Sequence, residues 1–379
     1  MRAATRYRAW AEIDLSALAH NVQEVRQILA PSTQIMAVVK ADAYGHGDVA
    51  VCHTLWDLGV RWFAVSNLEE AYAVRNSCPN AEVFILGYTP PQLASYLAEA
   101  DIIQGVLSAD YAKALAENAG LPVRCHIKLD TGMGRIGFRG ETAEDYVRQI
   151  EPLFSLRNLS IEGIYTHFAV ADSEDPDDVA FTDQQEKRIL DVYDALAAAG
   201  HPLEHVHFMN SAASVTRPNP RATLARAGIV LYGLHPNYPT PVPMDLDPVM
   251  TLRSVVSYVK EVEPGTPISY GRTYVAPEKR TIATVTIGYA DGYPRLLSNK
   301  GTATVHGVAC PITGRVCMDQ LMLDVTDVPD PVQPGDVVTL FGKPEPGVIT
   351  ADEAAAMCGT IGYELVCGIS KRVPRDFIP

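Results

Sequence analysis

The sequence predicts an α/β protein, a (β/α)8 TIM barrel in its N-terminal part followed by a smaller, mainly β domain. Three observations carry this. Eight short apolar runs alternate with amphipathic stretches through the first 235 residues, at roughly 25 residues per unit, the repeat of that barrel. A proline-rich segment, "HPNYPTPVPMDLDP" at 235–248, then interrupts the alternation as a linker does. Beyond it the chain switches to alternating β-branched runs separated by Gly and Pro turns. With 379 residues the chain also exceeds the size at which a single core usually stops growing. The expected domains are 1–240 and 241–379.

In chain order, the strand candidates are "QIMAVVK", "RWFAVSN", "EVFILGY", "DIIQGVL", "VRCHIKLD", "IEGIYTHF", "HVHFMNS" and "RAGIVLYG". All are rich in the residues that favour strands. Between them "GDVAVCHTLWDLG", "LEEAYAVRNS", "PQLASYLAEA", "ADYAKALAENAG", "TAEDYVRQI" and "DVAFTDQQEKRILDVYDALAAAG" carry apolar residues at helical spacing. In the second domain, "TLRSVVSYVKEV", "RTIATVTIGYA", "GTATVHGV", "QLMLDVTDV" and "DVVTLFG" read as strands, and "TADEAAAMCGTIGYELVCGI" reads as helical. Thr350 and Glu353 fit a capping box at its start.

Composition narrows the function. Hydrophobic residues at 47% and charged residues at 20% are globular values, and no apolar run is long enough to span a bilayer. A formal charge of −14 repels phosphate backbones and anionic lipid, so neither nucleic acid nor membrane is an expected partner. A small molecule is. The seven scattered cysteines form no C-x-x-C pair, which points to reduced thiols in a cytoplasm and to no metal site. The N-terminal stretch shows no apolar export segment.

Active sites of such barrels lie at the C-terminal ends of the strands. There the first strand ends in Lys40, the fifth in Lys128 and Asp130, the sixth in His167 and the seventh in Asn210 and Ser211; the eighth starts with Arg226 and carries Gly228. A lysine that close to an apolar strand either snorkels to solvent or is a partly neutral, nucleophilic amine. "GMGRIG" at 132–137 matches G-x-G-x-x-G, yet it follows the fifth strand and no helix starts before about Thr142, which argues against a dinucleotide cradle. His205 and His207 share one strand face but lack a third ligand at metal spacing.

"AVVKADAYGHG" at 37–47 resembles the pyridoxal-phosphate attachment segment of alanine racemases. "KLDTGMGRIGF", "YTHFAVAD", "NSAAS", "RAGIVLYG", "SYGRTY", "TIGYADGYPR", "GRVCMDQLMLDV" and "IGYELVCGISKRVPR" resemble further blocks of that family, in its order and nearly end to end. The resemblance implies a homodimer that interconverts L- and D-alanine on pyridoxal 5'-phosphate and supplies D-alanine for peptidoglycan. It implies Lys40 and Tyr270 as opposed catalytic bases, and Tyr44, Ser211, Gly228, Ile229 and Tyr363 around the phosphate. Arg226 would face the pyridine nitrogen, oriented by His167, and His207 would pack near the ring. Arg135 would meet the substrate carboxylate beside Lys128, a lysine often carbamylated in the family. Met318, Asp319 and Tyr289 would line the substrate entrance. A broad-specificity racemase of the same fold is the alternative; a decarboxylase needs no second base like Tyr270, a cofactor carrier needs no β domain, and a dehydrogenase rests on the glycine motif alone.

Overall fold

The computed structural model describes residues 8–379; residues 1–7, the start of the stretch read for an export segment, lie outside them. Strand β1 (Ala9–Asp14) does not belong to the barrel. It pairs antiparallel with residues 250–254 and parallel with residues 375–378, so the expectation that 1–240 forms the barrel domain is corrected at its start. The physical reason is burial: Trp10, Ala11 and Ile13 fill a slot between two strands of the second sheet, where both of β1's edges find partners. Helix α1 (Leu15–Ile28) follows at once, with the Asp14 carboxylate accepting the Ala17 N–H as its N-cap.

The barrel then runs β2 (Gln34–Val38), α2 (Lys40–Gly45), α3 (Asp48–Asp57), β3 (Trp62–Val65), α4 (Leu68–Ser77), β4 (Glu82–Ile85), α5 (Ala94–Glu99), β5 (Ile102–Val106), α6 (Ala109–Asn118), β6 (Val123–Lys128), α7 (Ala143–Ile150), β7 (Leu159–Tyr165), α8 (Pro176–Ala198), β8 (His205–His207), α9 (Ser211–Thr216) and β9 (Leu224–Ala227). All eight strands β2 to β9 are parallel, ordered β8-β7-β6-β5-β4-β3-β2-β9. Between β8 and β9 the ring is bridged by Thr223 N–H to Val206 O at 3.0 Å and Arg226 N–H to Met209 O at 3.1 Å. Most strand residues are buried on both faces, as helices outside and packed side chains inside require. Helix α1 packs against α3 and α9 and closes the outer ring from the N-terminal side.

The eighth barrel strand is displaced from its expected place. Extended backbone covers 224–227, and Ile229–Tyr232 coil into a 3-10 turn. Gly228 leaves the strand conformation at φ −121°, ψ −100°, and its N–H goes to Ser211 Oγ at 2.8 Å instead of to a ladder. Arg226 therefore stands near the C-terminal end of its strand, at the barrel mouth.

The second domain comprises β10 (Met250–Val262), β11 (Pro267–Ile268), β12 (Tyr274–Val275), β13 (Arg280–Val285), β14 (Thr302–Val305), β15 (Val308–Pro311), β16 (Leu321–Asp324), β17 (Val337–Phe341), α10 (Ala351–Met357), α11 (Gly362–Gly368) and β18 (Arg375–Ile378). Its main sheet is ordered β15-β14-β17-β10-β1-β18, and the long β10 also carries β13 and then β16. The stretch read as one helical segment is two helices, because Gly359 at φ +72° turns the chain between them. The Thr350–Glu353 capping box is present. Helix α11 brings Tyr363 back to the barrel mouth.

Candidate active site

Just past β2 the chain enters an unusual turn. Ala41, Asp42, Ala43 and Tyr44 have φ of 53°, 57°, 51° and 53°, a left-handed helical turn of L-residues. Each such residue costs about 1–2 kcal/mol, so the surroundings must over-determine it. They do. Glu70 accepts from Ala41 N–H at 2.9 Å and from Ser66 N–H at 2.8 Å, tying the loops after β2 and β3 together. The Asp42 carboxylate accepts the Asp48 N–H, and the His46 imidazole Nδ1 donates to the carbonyls of Ala43 and Tyr44. From the second domain, Arg375 Nε donates to Gly45 O at 2.9 Å. The turn drives Lys40 and Tyr44 into a cavity of about 760 Å³ at the barrel mouth.

That cavity is lined by the basic side chains of Lys40, Lys128, Arg135 and Arg226 together with His167, and by the carboxylates of Asp172 and Glu364. Lys128 is 2% exposed and donates to its neighbour's carbonyl, Leu129 O, at 2.7 Å. Burial, and then the Arg226 charge, push its amine down to about 7. Burial and the Arg135 charge lower Lys40 as well, so its amine is partly freed to act as a nucleophile or base. His167 is held neutral by burial and by Arg226, Arg135 and both lysines. Arg135 is placed by the "GMGRIG" loop, which lies between β6 and α7. Asp130 Oδ1 accepts the N–H groups of Gly132 and Gly134, and Gly137 at φ +121° lets the loop press on Lys128 O, where a Cβ would sit 2.8 Å away. The glycines serve the loop that carries Arg135.

Arg226 is buried and almost fully committed. Nη1 donates to His207 Nδ1 at 2.8 Å and His207 O at 3.0 Å; Nη2 donates to Thr166 O at 2.6 Å, with His167 Nδ1 and Phe208 O at 3.4 Å. Nε–H is the guanidinium donor with no acceptor among the described residues. Arg226 thus meets His167, as expected, at 3.4 Å, and is held more closely by His207 at 2.8 Å, a partner the sequence reading did not assign to it. His207 also stacks on Tyr165 at 5.1 Å and 5° and is fully buried.

At the opposite side of the cavity Gly228, Ser211 and Tyr44 form a cradle. A Cβ at residue 228 would lie 2.9 Å from Tyr44 Oη and 3.4 Å from Ser211 Oγ, so only glycine leaves that space open. Ile229, buried, opens the 3-10 turn, and its N–H has no partner within the turn. Tyr363 stands 6.1 Å from the Tyr44 ring, and burial pushes both phenols up, so both hydroxyls remain donors. Hydroxyls and the free Ile229 amide around an open space suit a phosphate. Cys367, one helical turn after Tyr363, also lines the cavity. The i, i+4 spacing in "YELVC" is the signal that could have placed it there.

Tyr270, Tyr289, Met318 and Asp319 are not among the residues lining this cavity. They cluster elsewhere. Tyr289 N–H bonds Cys317 O and Ala290 N–H bonds Met318 O, Asp319 is held by Arg372 at 2.8 Å, and Ser269 donates to Arg315 O at 2.7 Å. Tyr270 is 71% exposed, Met318 52% and Tyr289 42%. Tyr270 sits on a turn where Ser269, Gly271 and Arg272 all have positive φ, a strained presentation typical of functional positions. One chain therefore presents two separate half-constellations.

Residues 13–236 match the family described as alanine racemase, N-terminal domain, and residues 249–377 match alanine racemase, C-terminal domain. The chain is 43% identical over 372 residues to an alanine racemase of Desulfovibrio desulfuricans, covering 97% of this chain and 98% of that one. It is 44% identical over 371 residues to an alanine racemase of Halothermothrix orenii, covering 97% and 96%. Among solved structures, an alanine racemase of Clostridium difficile 630 superimposes with a TM-score of 0.89 at 37% identity, covering 98% of this chain and 96% of that one. The alanine racemase of Bacillus anthracis with bound L-Ala-P gives 0.89 at 35% identity, covering 98% and 95%.

Proposed function

The chain belongs to the alanine racemase family and interconverts L- and D-alanine, and we propose that it does so on pyridoxal 5'-phosphate seated in the barrel-mouth cavity, with Lys40 and Tyr270 as the two proton-transferring groups. One observation carries this reading. A depressed lysine, an arginine with one uncommitted N–H and a cradle kept open by Gly228 face a single cavity whose cations call for an anionic ligand. The broad-specificity alternative draws no support from the relatives, which are alanine racemases.

Pyridoxal phosphate, when bound, supplies a conjugated ring that delocalises the electron pair left at Cα. The protein does the rest. Lys40 holds the group through its amine and moves a proton at Cα on one face, which suits the D enantiomer. Tyr44, Ser211 and Tyr363 donate hydroxyls to the phosphate, with the amides of Gly228 and Ile229 beside them. Arg226 aims Nε–H at the pyridine nitrogen; burial lowers its guanidinium to about 10, still protonated at any working pH, so it donates without taking that nitrogen's proton. Arg135 pairs with the substrate carboxylate. Lys128, pushed down to about 7 and so partly neutral at pH 7, can add carbon dioxide through its neutral amine, forming a carbamate with release of one proton and placing an anion beside Arg135.

Inverting a stereocentre requires a second proton-carrying group on the opposite face. Tyr270 is the candidate, and its exposure together with its absence from its own cavity supports a homodimer in which Tyr270 of the partner subunit completes the site. Met318, Asp319 and Tyr289 would then line the entrance. The free thiols at all seven cysteines fit a reducing cytoplasm, and D-alanine made there would serve peptidoglycan. Borohydride reduction of the loaded enzyme followed by peptide mapping tests the assignment. Pyridoxyl is expected on Lys40; label on another lysine would overturn it.

A further inference from the structure

Three imidazoles line up inside the barrel beneath Arg226. His207 on β8 and His126 on β6 are fully buried, and His205 is 7% exposed. His126 Nδ1 lies 2.8 Å from His207 Nε2, the His126 and His205 rings are 5.5 Å apart, and His205 Nε2 lies 3.6 Å from the Glu204 carboxylate. Phe84, Trp62 and Tyr165 pack around the column at 4.7 to 5.1 Å. The reaction as derived above uses neither His126 nor His205.

Hydrogen-bond polarity admits one arrangement of neutral rings. A guanidinium only donates, so His207 Nδ1 must accept from Arg226. A neutral His207 then carries its proton on Nε2 and donates to His126 Nδ1. His126 in turn carries its proton on Nε2, which is buried without a partner; His205 Nδ1 is likewise buried without one. The first is a donor and the second, if His205 directs its own Nε2–H at Glu204, an acceptor. The two rings pack against each other at 5.5 Å without a hydrogen bond between them. Burial lowers all three imidazoles, and the Arg226 charge lowers His207 further, so neutral rings are the expected state.

We propose that His126 is a positioning residue for the racemase reaction: by accepting from His207 Nε2–H it keeps His207 Nδ1 an acceptor for Arg226 and reserves the guanidinium's Nε–H for the cofactor nitrogen. The proposal rests on the pyridoxal phosphate reading above for its catalytic effect, while the His207–His126 hydrogen bond itself is testable without cofactor. Losing the His126 acceptor leaves a buried Nε2–H on His207; moving that proton to Nδ1 would set two donors against each other at Arg226.

Nitrogen-15 NMR of the cofactor-free protein reads the tautomers directly. Nε2–H is expected at His207 and His126; a proton on Nδ1 of His207 overturns the proposal, and this measurement needs no variant. In His126→Phe, His207 is expected to leave the pure Nε2–H state, and racemisation to fall about tenfold. With cofactor and alanine the loaded variant should also gain long-wavelength absorption, because a displaced Arg226 no longer keeps the ring nitrogen unprotonated. His126→Asn, whose amide oxygen can accept near the Nδ1 position, should restore both readouts. A folded His126→Phe with an unchanged His207 tautomer and spectrum overturns the proposal. Borohydride labelling of Lys40 in each variant distinguishes loss of that hydrogen bond from failure of the cofactor reading.

Discussion

Lys128 sits among cations with almost no solvent, and its amine titrates at about 7 where an unfolded chain's lysine titrates near 10.5. Between those values the unfolded state binds one more proton than the folded one, so this group makes stability rise with pH across that window. Below about 7 both states are protonated and the penalty of the buried cation is complete. We expect the cofactor-free enzyme in bicarbonate-free buffer to gain thermal stability from pH 7 upward relative to Lys128→Met, whose curve should lack that increment. Melting temperatures of the two proteins along a pH series measure it, and parallel curves would refute it. At this scale the sequence displayed residue types at strand ends, which sufficed to gather Lys40, Lys128, His167, Ser211 and Arg226 round one cavity, while Arg135 came from the family resemblance alone. It did not display hydrogen-bond partners. His167 reads as the orienter of Arg226 and His207 as a residue packed near the ring, yet both imidazoles meet the guanidinium, His207 the more closely.

Among elements, the loop between β6 and α7 shows how glycines place a charged side chain. Gly137 lies at φ +121° with Lys128 O and Asp130 N each 2.8 Å from where a Cβ would stand. Gly137→Ala should therefore displace the loop, with roughly 1–3 kcal/mol of stability lost and a rise in the KM for alanine as Arg135 moves. Denaturant unfolding and steady-state kinetics would both have to be unaffected for this account to fail. Elements held by local chemistry were legible beforehand: the eight barrel strands, and the Thr350–Glu353 cap of α10. Elements defined by distant partners were not. "AWAEID" has strand character, but its neighbours lie about 240 and 365 positions away, beyond any local pattern. The end of the eighth barrel strand was missed because Gly228 bonds to Ser211 across the mouth rather than along a ladder.

At the scale of the whole molecule the two half-constellations make an arithmetic prediction. Lys40→Ala and Tyr270→Phe chains are each expected to be inactive alone. After subunit exchange about half the dimers are mixed, and each mixed dimer holds one intact site, so activity should return to roughly a quarter of wild type. No recovery, with mixed dimers demonstrated by mass spectrometry, would show that both groups come from one chain.

The placement of β1 bears on how the molecule is made. Synthesis releases Ala9–Asp14 before the barrel, yet its antiparallel neighbour begins at Met250 and its parallel neighbour at Arg375. Throughout translation of the barrel, this apolar segment has neither of its edges covered. A nascent barrel halted before the second domain is thus an adhesive species, open to strand exchange with a neighbouring nascent chain. Release of residues 375–378, long after the barrel, is what seals the seam, so that segment acts as the closing clasp of a sheet whose strand β1 is made before the barrel.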